Sequence, residues 1–148
     1  RIKLAPTSVM ELLQNSIRCM DEILAERKVT VEIQCEIYLL PIDNDLMQSA
    51  IINLVDNASK ASDKDSIVYL KAIGNEISVI DSGKGISPED LDRVTEPFYS
   101  IDKSRSKQNS NGSGLGLSIV KEIVEAHNAK LLISSQEGRG TVVTIRFS

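Results

Sequence analysis

The chain has few aromatic residues and no excess of positive charge. Its 148 residues include no Trp, three Tyr and two Phe, together 3% of the sequence, so no platform for stacking nucleic-acid bases is evident. Lys and Arg number 17 against 21 Asp and Glu, which leaves a net charge of −4 and no electrostatic footprint for nucleic acid. A nucleic-acid partner is therefore not expected.

Long apolar runs and export signals are also lacking. No segment approaches the roughly 20 apolar residues of a membrane span, and no signal peptide precedes the first predicted helix. Cys19 and Cys35 lie far apart within apolar patterns, so we expect reduced core or half-buried residues rather than disulfide partners or metal ligands. We expect a cytoplasmic domain without direct membrane contact. Because the chain starts at Arg1 and not at Met, we also expect it to be part of a longer protein.

Hydrophobic periodicity predicts helices that alternate with strands. Residues 2–4 could open as a short strand. Ser8 and Glu11 have the spacing of a capping box, and the apolar stripe behind them predicts one helix of about five turns that ends near Lys28. A half-buried strand over residues 29–37 is predicted to end before Pro41, and a second helix to cover residues 45–62.

The rest of the chain predicts strand pairs and two further helices. Strands are predicted at 67–73, 76–80, 131–134 and 142–147, a short helix at 88–94 capped by Ser87, and a helix at 117–127. Residues 99–113 lack periodicity, as functional or disordered loops do. The pattern predicts one α+β domain over residues 1–148, a two-layer sandwich with a mixed, mostly antiparallel sheet and helices on one face.

Four short segments carry candidate binding residues. In the second helix, Asn53, Asn57 and Lys60 share one face, and because Asn is a poor helix-interior residue this spacing favours a site over a solvated stripe. A single glycine turn is more often a plain turn than a site, but three of them follow in order. They are Asp81-Ser82-Gly83-Lys84-Gly85-Ile86, Gly112-Ser113-Gly114-Leu115-Gly116-Leu117 and Gly138-Arg139-Gly140-Thr141.

Together these segments supply amide oxygen for a metal, an ammonium for phosphate, a carboxylate for an adenine amine, and bare backbone that can approach phosphates. They resemble the catalytic ATP-binding domain of sensor histidine kinases, within the GHKL class of ATPases. Glu96-Pro97-Phe98-Tyr99 is similar to the phenylalanine box of these kinases, and the run from Gly112 to Val120 to the glycine-rich end of their lid. The resemblance covers nearly the whole chain and implies a histidine-kinase-like ATPase fold that binds ATP and Mg²⁺.

The resemblance also implies roles for individual residues. Asn57 is implied as the Mg²⁺ ligand, Asn53 lines the phosphate side, and Lys60 neutralises phosphate charge. Asp81 accepts a hydrogen bond from the adenine amino group and so discriminates against guanine, which presents an acceptor at the same position. Thr141 is expected to share this network.

Glycines and lid charges complete the implied site. Gly83 and Gly85 would let the backbone pass close to the purine, and the glycines before the last helix would bind phosphate through N–H groups or act as a hinge for the lid. Arg105 is the first choice for a cation at the γ-phosphate, although a solvated loop charge is an equal alternative. The predicted catalytic residues are Asn53, Lys60 and Arg105. The predicted nucleotide-binding residues are Asn53, Asn57, Lys60, Asp81, Gly83, Gly85, Ile86, Lys103, Arg105, Gly112, Gly114, Leu115, Gly116, Leu117 and Thr141.

Two positions depart from the family pattern. Ala61 stands where these kinases often have an aromatic residue, which would remove purine stacking and weaken ATP affinity. His127-Asn128-Ala129 replaces the usual His-Gly-Gly. His127 is the chain's one histidine, and we interpret it as a helix C-terminal residue favoured by the helix dipole and not as a phosphoacceptor.

The resemblance therefore predicts a domain that donates the γ-phosphate of ATP to a histidine on a separate dimerisation and phosphoacceptor hairpin, in two-component signal transduction. Catalysis would rest on positioning and electrostatics. The domain alone is expected to be monomeric and unable to autophosphorylate. Its parent chain is expected to be a homodimer that acts indirectly on a response regulator. Two alternatives stay open: a serine kinase of the anti-sigma type, and a non-enzymatic ATP-dependent switch that regulates a partner.

Overall fold

The computed structural model describes residues 1–97 and 116–148. In chain order the elements are β1 (Ala5–Ser8), α1 (Val9–Arg18), α2 (Asp21–Arg27), β2 (Thr30–Cys35), β3 (Leu39–Ile42), α3 (Asn44–Ala61), β4 (Ile67–Ile73), β5 (Glu76–Asp81), α4 (Pro88–Leu91), α5 (Gly116–Ala126), β6 (Lys130–Gln136) and β7 (Gly140–Arg146). In these parts of the chain no helix is both long and apolar enough to span a bilayer.

A five-stranded sheet with the order β2-β4-β5-β7-β6 organises the domain. β2 and β4 run parallel, as their connection through α3 allows, and every other neighbouring pair in this sheet is antiparallel. β1 and β3 form a separate antiparallel ribbon. The predicted mixed, mostly antiparallel sheet is confirmed.

Helices α1, α3 and α5 lie against one face of this sheet. The strands alternate accordingly, because successive side chains of a strand point to opposite faces. Helix-facing residues of β4 and β5 are at most 2% exposed; they are Val68, Leu70, Ala72, Ile77 and Val79. On the opposite face Tyr69, Ile73 and Leu132 are 36–42% exposed. The structure is the predicted two-layer sandwich.

The first predicted helix is divided into two. Ser8 caps α1 as expected, with its Oγ accepting a hydrogen bond from the Glu11 N–H at 3.3 Å. The helix ends after Arg18, and α2 starts at Asp21 beyond a turn in which the Met20 N–H donates to the Ile17 carbonyl. The apolar stripe continues across this turn, so periodicity alone could not locate it.

Three smaller predictions about the first half of the chain were wrong. The first strand covers Ala5–Ser8 and not residues 2–4. The strand before Pro41 ends as predicted, but no further strand was expected there, whereas Pro41 lies inside β3, opposite Pro6 of β1. A two-stranded ribbon has open edges, where the missing N–H of proline costs no pairing. Cys19 is exposed in the turn after α1, whereas Cys35 is half-buried as expected.

His127 joins the C-terminal end of α5 to the start of α3. Its Nε2 accepts a hydrogen bond from the Asp43 N–H at 3.0 Å, and its Nδ1 lies 2.8 Å from the Ile123 carbonyl. The ring therefore carries its proton on Nδ1 and donates it to a carbonyl in the last turn of α5. The predicted position at the C-terminal end of the helix is confirmed, and the contribution of the helix dipole stays a prediction. Asn128, which replaces the glycine of the family pattern, takes the left-handed conformation with φ 56°, one that Asn tolerates well.

Asp43 is the cap of α3 and a second anchor at this joint. Its carboxylate accepts hydrogen bonds from the N–H groups of Lys3 and Leu46. These bonds lower the pKa of the Asp43 carboxyl below its ordinary value. The ionised Asp43 cap therefore stabilises the fold at pH values above the ordinary pKa of an Asp carboxyl. This contribution is lost as the pH falls through the lowered pKa of Asp43 in the folded protein.

Replacing His127 tests this joint. His127→Leu leaves the Asp43 N–H without its acceptor, and we expect a loss of about 1–3 kcal/mol in the free energy of unfolding. Urea denaturation followed by circular dichroism measures it. The matched control is Glu122→Ala on the exposed side of α5, which should stay within about 0.5 kcal/mol of the parent. Equal stability of H127L and the parent would contradict the structural role.

Candidate functional site

Two asparagines of α3 form one end of the candidate site. Asn53 and Asn57 are half-buried and lie one turn apart on the same side of the helix. The Asn53 Nδ2 donates to the Ser49 carbonyl one turn earlier, at 2.9 Å. The amide nitrogen of Asn53 is therefore hydrogen-bonded to the backbone of its own helix, and its Oδ1 stays available as an acceptor or ligand.

The N-terminus of α5 faces both asparagines. A Cβ atom built on Gly116 would lie 3.7 Å from the Asn57 Nδ2 and 3.8 Å from the Oδ1 of each asparagine. The first N–H groups of a helix lack intrahelical partners and carry a partial positive charge, so they attract anions. The structure thus brings together a helix N-terminus and two amide side chains, the combination that suits an anion with a bound cation.

Lys60 lies on the same side of α3 but is engaged with a carboxylate. Its Nζ is 3.2 Å from Asp56, whose other oxygen accepts from Arg27 at 2.7 Å. Arg27 also donates to the Ser59 hydroxyl at 2.6 Å. A partly exposed pair of this kind contributes about 0–1 kcal/mol, so Lys60 could leave Asp56 for a phosphate at small cost. Its role at phosphate stays a prediction.

Asp81 ends β5 as a buried carboxylate. It is 8% exposed, and its Oδ1 accepts the Gly83 N–H at 2.8 Å. Burial raises the pKa of the Asp81 carboxyl above its ordinary value, while the backbone N–H groups of Gly83 and Thr141 act in the opposite direction. An ionised oxygen held by backbone donors and otherwise surrounded by protein is a strong and specific acceptor.

The turn after Asp81 is wedged between two backbone segments. A Cβ on Gly83 would lie 2.2 Å from the Ala61 carbonyl oxygen, and a Cβ on Gly85 would lie 2.2 Å from that of Gln136. The Lys84 N–H donates to the same Ala61 carbonyl at 3.2 Å. These glycines are therefore required by the contact of the turn with α3 and β6, a reason that the sequence analysis did not give.

Three polar side chains lie side by side at this end of the sheet. Thr141 of β7 pairs in register with Asp81 of β5 on one side and with Ser135 of β6 on the other. Paired residues of antiparallel strands share a face, so all three point to the helix layer. Thr141 is 8% exposed, and its Oγ1 is 2.8 Å from the Ser135 Oγ.

Ser135 was not predicted from the sequence as a site residue. It sits in an alternating strand next to a second serine, Ser134, and nothing in this single sequence distinguishes the two. Only the register with Thr141 and the approach of the Ile86 N–H, at 2.7 Å from the Ser135 Oγ, place it at the site.

The remaining predicted site residues either make structural contacts or lie outside the residues that the structure describes. The N–H of Ile86 is used by Ser135, and Leu117 packs against the hydrophobic core. Phe98, Lys103, Arg105, Gly112, Gly114 and Leu115 fall in residues 98–115, outside the described residues.

Mg²⁺ places specific demands on the oxygen donors near the N-terminus of α5. This ion takes oxygen ligands, keeps several waters, and commonly shares its shell with substrate phosphates. Within residues 1–97 and 116–148 no group of three or more His, Cys, Asp or Glu side chains could hold a metal. A Mg²⁺ here would depend on amide, phosphate and water oxygens, and Asn57 fits as its ligand.

Comparison with known sequences identifies related proteins. The family described as histidine kinase-, DNA gyrase B- and HSP90-like ATPase matches residues 42–148. The phosphate regulon sensor protein PhoR of Pseudomonas aeruginosa is 41% identical over 106 residues, covering 69% of this chain and 24% of PhoR. The sensor histidine kinase YkoH of Bacillus subtilis is 33% identical over 146 residues, covering 97% of this chain and 30% of YkoH. The chain thus spans less than a third of these relatives.

Solved structures show the same architecture. The catalytic domain of histidine kinase ThkA matches with a TM-score of 0.79 at 22% identity, over 98% of this chain and 95% of that one. The mycobacterial sensor histidine kinase MprB matches with a TM-score of 0.79 at 25% identity, over 97% and 95%. Sequence and fold agree: the chain belongs to the family of histidine kinase-, DNA gyrase B- and HSP90-like ATPases, as a catalytic ATP-binding domain of the histidine kinase type.

Proposed function

We propose that this domain binds Mg-ATP and donates the γ-phosphate to a histidine on another domain of its parent protein. The observation that carries the proposal is the convergence of Asn53, Asn57 and the N-terminus of α5, with Asp81 of β5 near the C-terminal end of α3. A helix rises about 1.5 Å per residue, so Asn57 and Ala61 are about 6 Å apart along the axis. Because Ala61 contacts the turn after Asp81, α3 links a phosphate end to a purine end.

The phosphate end would act through backbone and amide groups. The N–H groups of α5 would bind phosphate oxygens, and the Asn57 amide oxygen would hold Mg²⁺ without adding negative charge next to the triphosphate. When bound, the ion neutralises charge on the transferring phosphoryl group. Asn53 would orient the phosphates from the preceding turn, and Lys60 would reach them by leaving Asp56. Arg105 remains the proposed cation at the γ-phosphate.

The purine end would select adenine. The Asp81 carboxylate accepts hydrogen bonds and cannot donate, so it suits the 6-amino group of adenine and not the 6-oxo group of guanine. Ala61 offers no ring to stack on the base. We therefore expect hydrogen bonding at Asp81, rather than stacking, to account for the selectivity.

The acceptor histidine would lie on a different domain. The sequence has one histidine, His127, and both of its ring nitrogens are engaged, with Asp43 and Ile123. The matched region is 24% of the sensor protein PhoR and 30% of the sensor histidine kinase YkoH, so both relatives are much longer than this chain. A helical hairpin elsewhere in the parent protein is the proposed acceptor, with a response regulator receiving the phosphate in turn.

Calorimetric titration with ADP and with a non-hydrolysable ATP analogue, each with and without Mg²⁺, tests nucleotide binding. Adenine-selective binding that Mg²⁺ strengthens is expected. No binding of either nucleotide would refute the proposal at its first step.

Transfer is tested by mixing the domain, radiolabelled ATP and the parent's histidine-bearing hairpin. Acid-labile label on the hairpin is expected, since phosphohistidine hydrolyses in acid. Acid-stable label on an added serine-containing partner would favour the serine kinase alternative. Binding of ATP without any transfer would favour the switch.

Asn57→Ala should abolish the Mg²⁺-dependent part of ATP binding, because it removes the proposed metal ligand. The fold should persist, since the side chain is half-buried and lies outside the apolar face of α3. Titration of the variant with Mg-ATP measures the change. Asn15→Ala, an exposed amide on α1, serves as the matched control and should bind as the parent does. Unchanged Mg-ATP affinity in N57A would remove Asn57 from the site.

Asp81→Asn should lower ATP affinity about tenfold to a hundredfold, the range of a hydrogen bond to a charged group. The new amide can donate to the oxo group of guanine, so the ratio of ATP to GTP affinity should fall further. Competition binding with both nucleotides measures the ratio. Asp63→Asn on the exposed surface is the control for lost charge. If the parent itself bound ATP and GTP equally, Asp81 would not be the selective residue.

A further inference from the structure

The hydroxyl group of Ser135 meets three polar groups at once. Its Oγ is 2.7 Å from the Ile86 nitrogen, 3.0 Å from the Gly140 carbonyl oxygen, and 2.8 Å from the Thr141 Oγ1. The contacts come from two different parts of the site: the turn after Asp81, and the start of strand β7, where Gly140 and Thr141 are consecutive residues.

The count of hydrogens fixes the direction of each bond. A serine hydroxyl has one hydrogen and accepts through its lone pairs, while a carbonyl can only accept. The hydrogen of Ser135 therefore goes to the Gly140 carbonyl, and the Ile86 N–H donates to Ser135. The contact between Ser135 and Thr141 then needs the Thr141 hydrogen. Any other assignment leaves two oxygens 3.0 Å apart with no hydrogen between them.

These hydrogen-bond directions determine what the Thr141 hydroxyl presents to its other neighbours. With its hydrogen directed to Ser135, the Thr141 Oγ1 presents only lone pairs to its other neighbours. Thr141 lies next to Asp81 in the sheet register, and an ionised Asp81 also only accepts. This end of the sheet thus offers two adjacent acceptors, which match the two hydrogens of one amino group.

We propose that Ser135 is a specificity-determining residue that acts through Thr141, orienting its hydroxyl so that the site accepts a 6-aminopurine and rejects a 6-oxopurine. This rests on the proposed nucleotide-binding function. Asp81 alone supplies one acceptor and leaves the threonine hydroxyl free to rotate. If the Thr141 hydroxyl rotated, it would donate to a 6-oxo group and weaken the discrimination between the two purines. The hydrogen bond to Ser135 prevents this rotation.

Ser135→Ala tests the proposal with ATP and ITP, whose bases differ in the 6-amino and 6-oxo groups and in N1, which carries a hydrogen only in ITP. Removing the serine oxygen frees the Thr141 hydroxyl, so ATP affinity should fall while ITP affinity is kept or rises. We expect the ratio of ATP to ITP affinity to drop about tenfold, the effect of one hydrogen bond changed from favourable to unfavourable. Calorimetry or competition binding of both nucleotides with Mg²⁺ measures the ratio.

Ser134→Ala is the matched control, because Ser134 is the adjacent serine of β6 and points to the opposite face of the sheet. It should leave both affinities unchanged. A merely structural Ser135 would weaken ATP and ITP by the same factor, and an unchanged ratio in S135A would overturn the proposal. Absence of ATP binding in the parent would instead refute the proposed function, and the inference with it.

Thr141→Val completes the test as a nearly isosteric change. It removes the acceptor on which Ser135 acts, so T141V should lower the ratio, and adding S135A to T141V should change it no further. An equal effect of S135A in both backgrounds would overturn the action through Thr141. Thermal unfolding without nucleotide monitors the fold. If S135A fails to fold, the T141V variant alone tests the proposal. An unchanged ratio of ATP to ITP affinity in T141V would then overturn it.

Discussion

Burial of one face of α3 is the constraint on which the rest of the structure depends. This helix lies between α1 and α5 on the sheet, and Met47, Ala50 and Ile51 are fully buried. Each large apolar side chain buried in this way contributes about 1.5–3 kcal/mol. Turning the helix about its axis would expose this face. The direction of the adjacent polar face, and with it the position of Asn53 and Asn57, is therefore fixed by the core.

Two backbone contacts extend this constraint from α3 to the proposed purine end of the site. The Ala61 carbonyl at the end of α3 meets Gly83, and the Gln136 carbonyl of β6 meets Gly85. In both places the carbonyl oxygen occupies the volume that a Cβ would need. The turn after Asp81 is thus held from two sides through its backbone. The turn is positioned by sheet and helix together, which keeps the Asp81 carboxylate buried and oriented.

Elements that depend on neighbouring residues were predicted well, and those that depend on distant ones were not. The cap of α1, the strands β4 and β5 and the amide face of α3 follow from local spacing and agree with the structure. The break between α1 and α2 was missed because the apolar stripe crosses it unchanged. Strand β3 around Pro41 was not predicted, since its partner strand around Pro6 is distant in sequence. Helix α5 begins near the expected position, but its contact with Asn53 and Asn57 could not be derived from periodicity.

The sequence by itself determined most of the helices and strands, the caps Ser8 and Ser87, the carboxylate at the end of a strand and the pair of amides on one helix face. These features follow from hydrogen bonds and side-chain periodicity within a few residues of the chain. The tertiary structure alone decided the strand order, the joining of α5 to α3 by His127, and the place of Ser135 beside Thr141. His127 and Asp43 are separated by 84 positions, and Ser135 and Ile86 by 49. Such contacts depend on how the layers pack, and no local pattern encodes them.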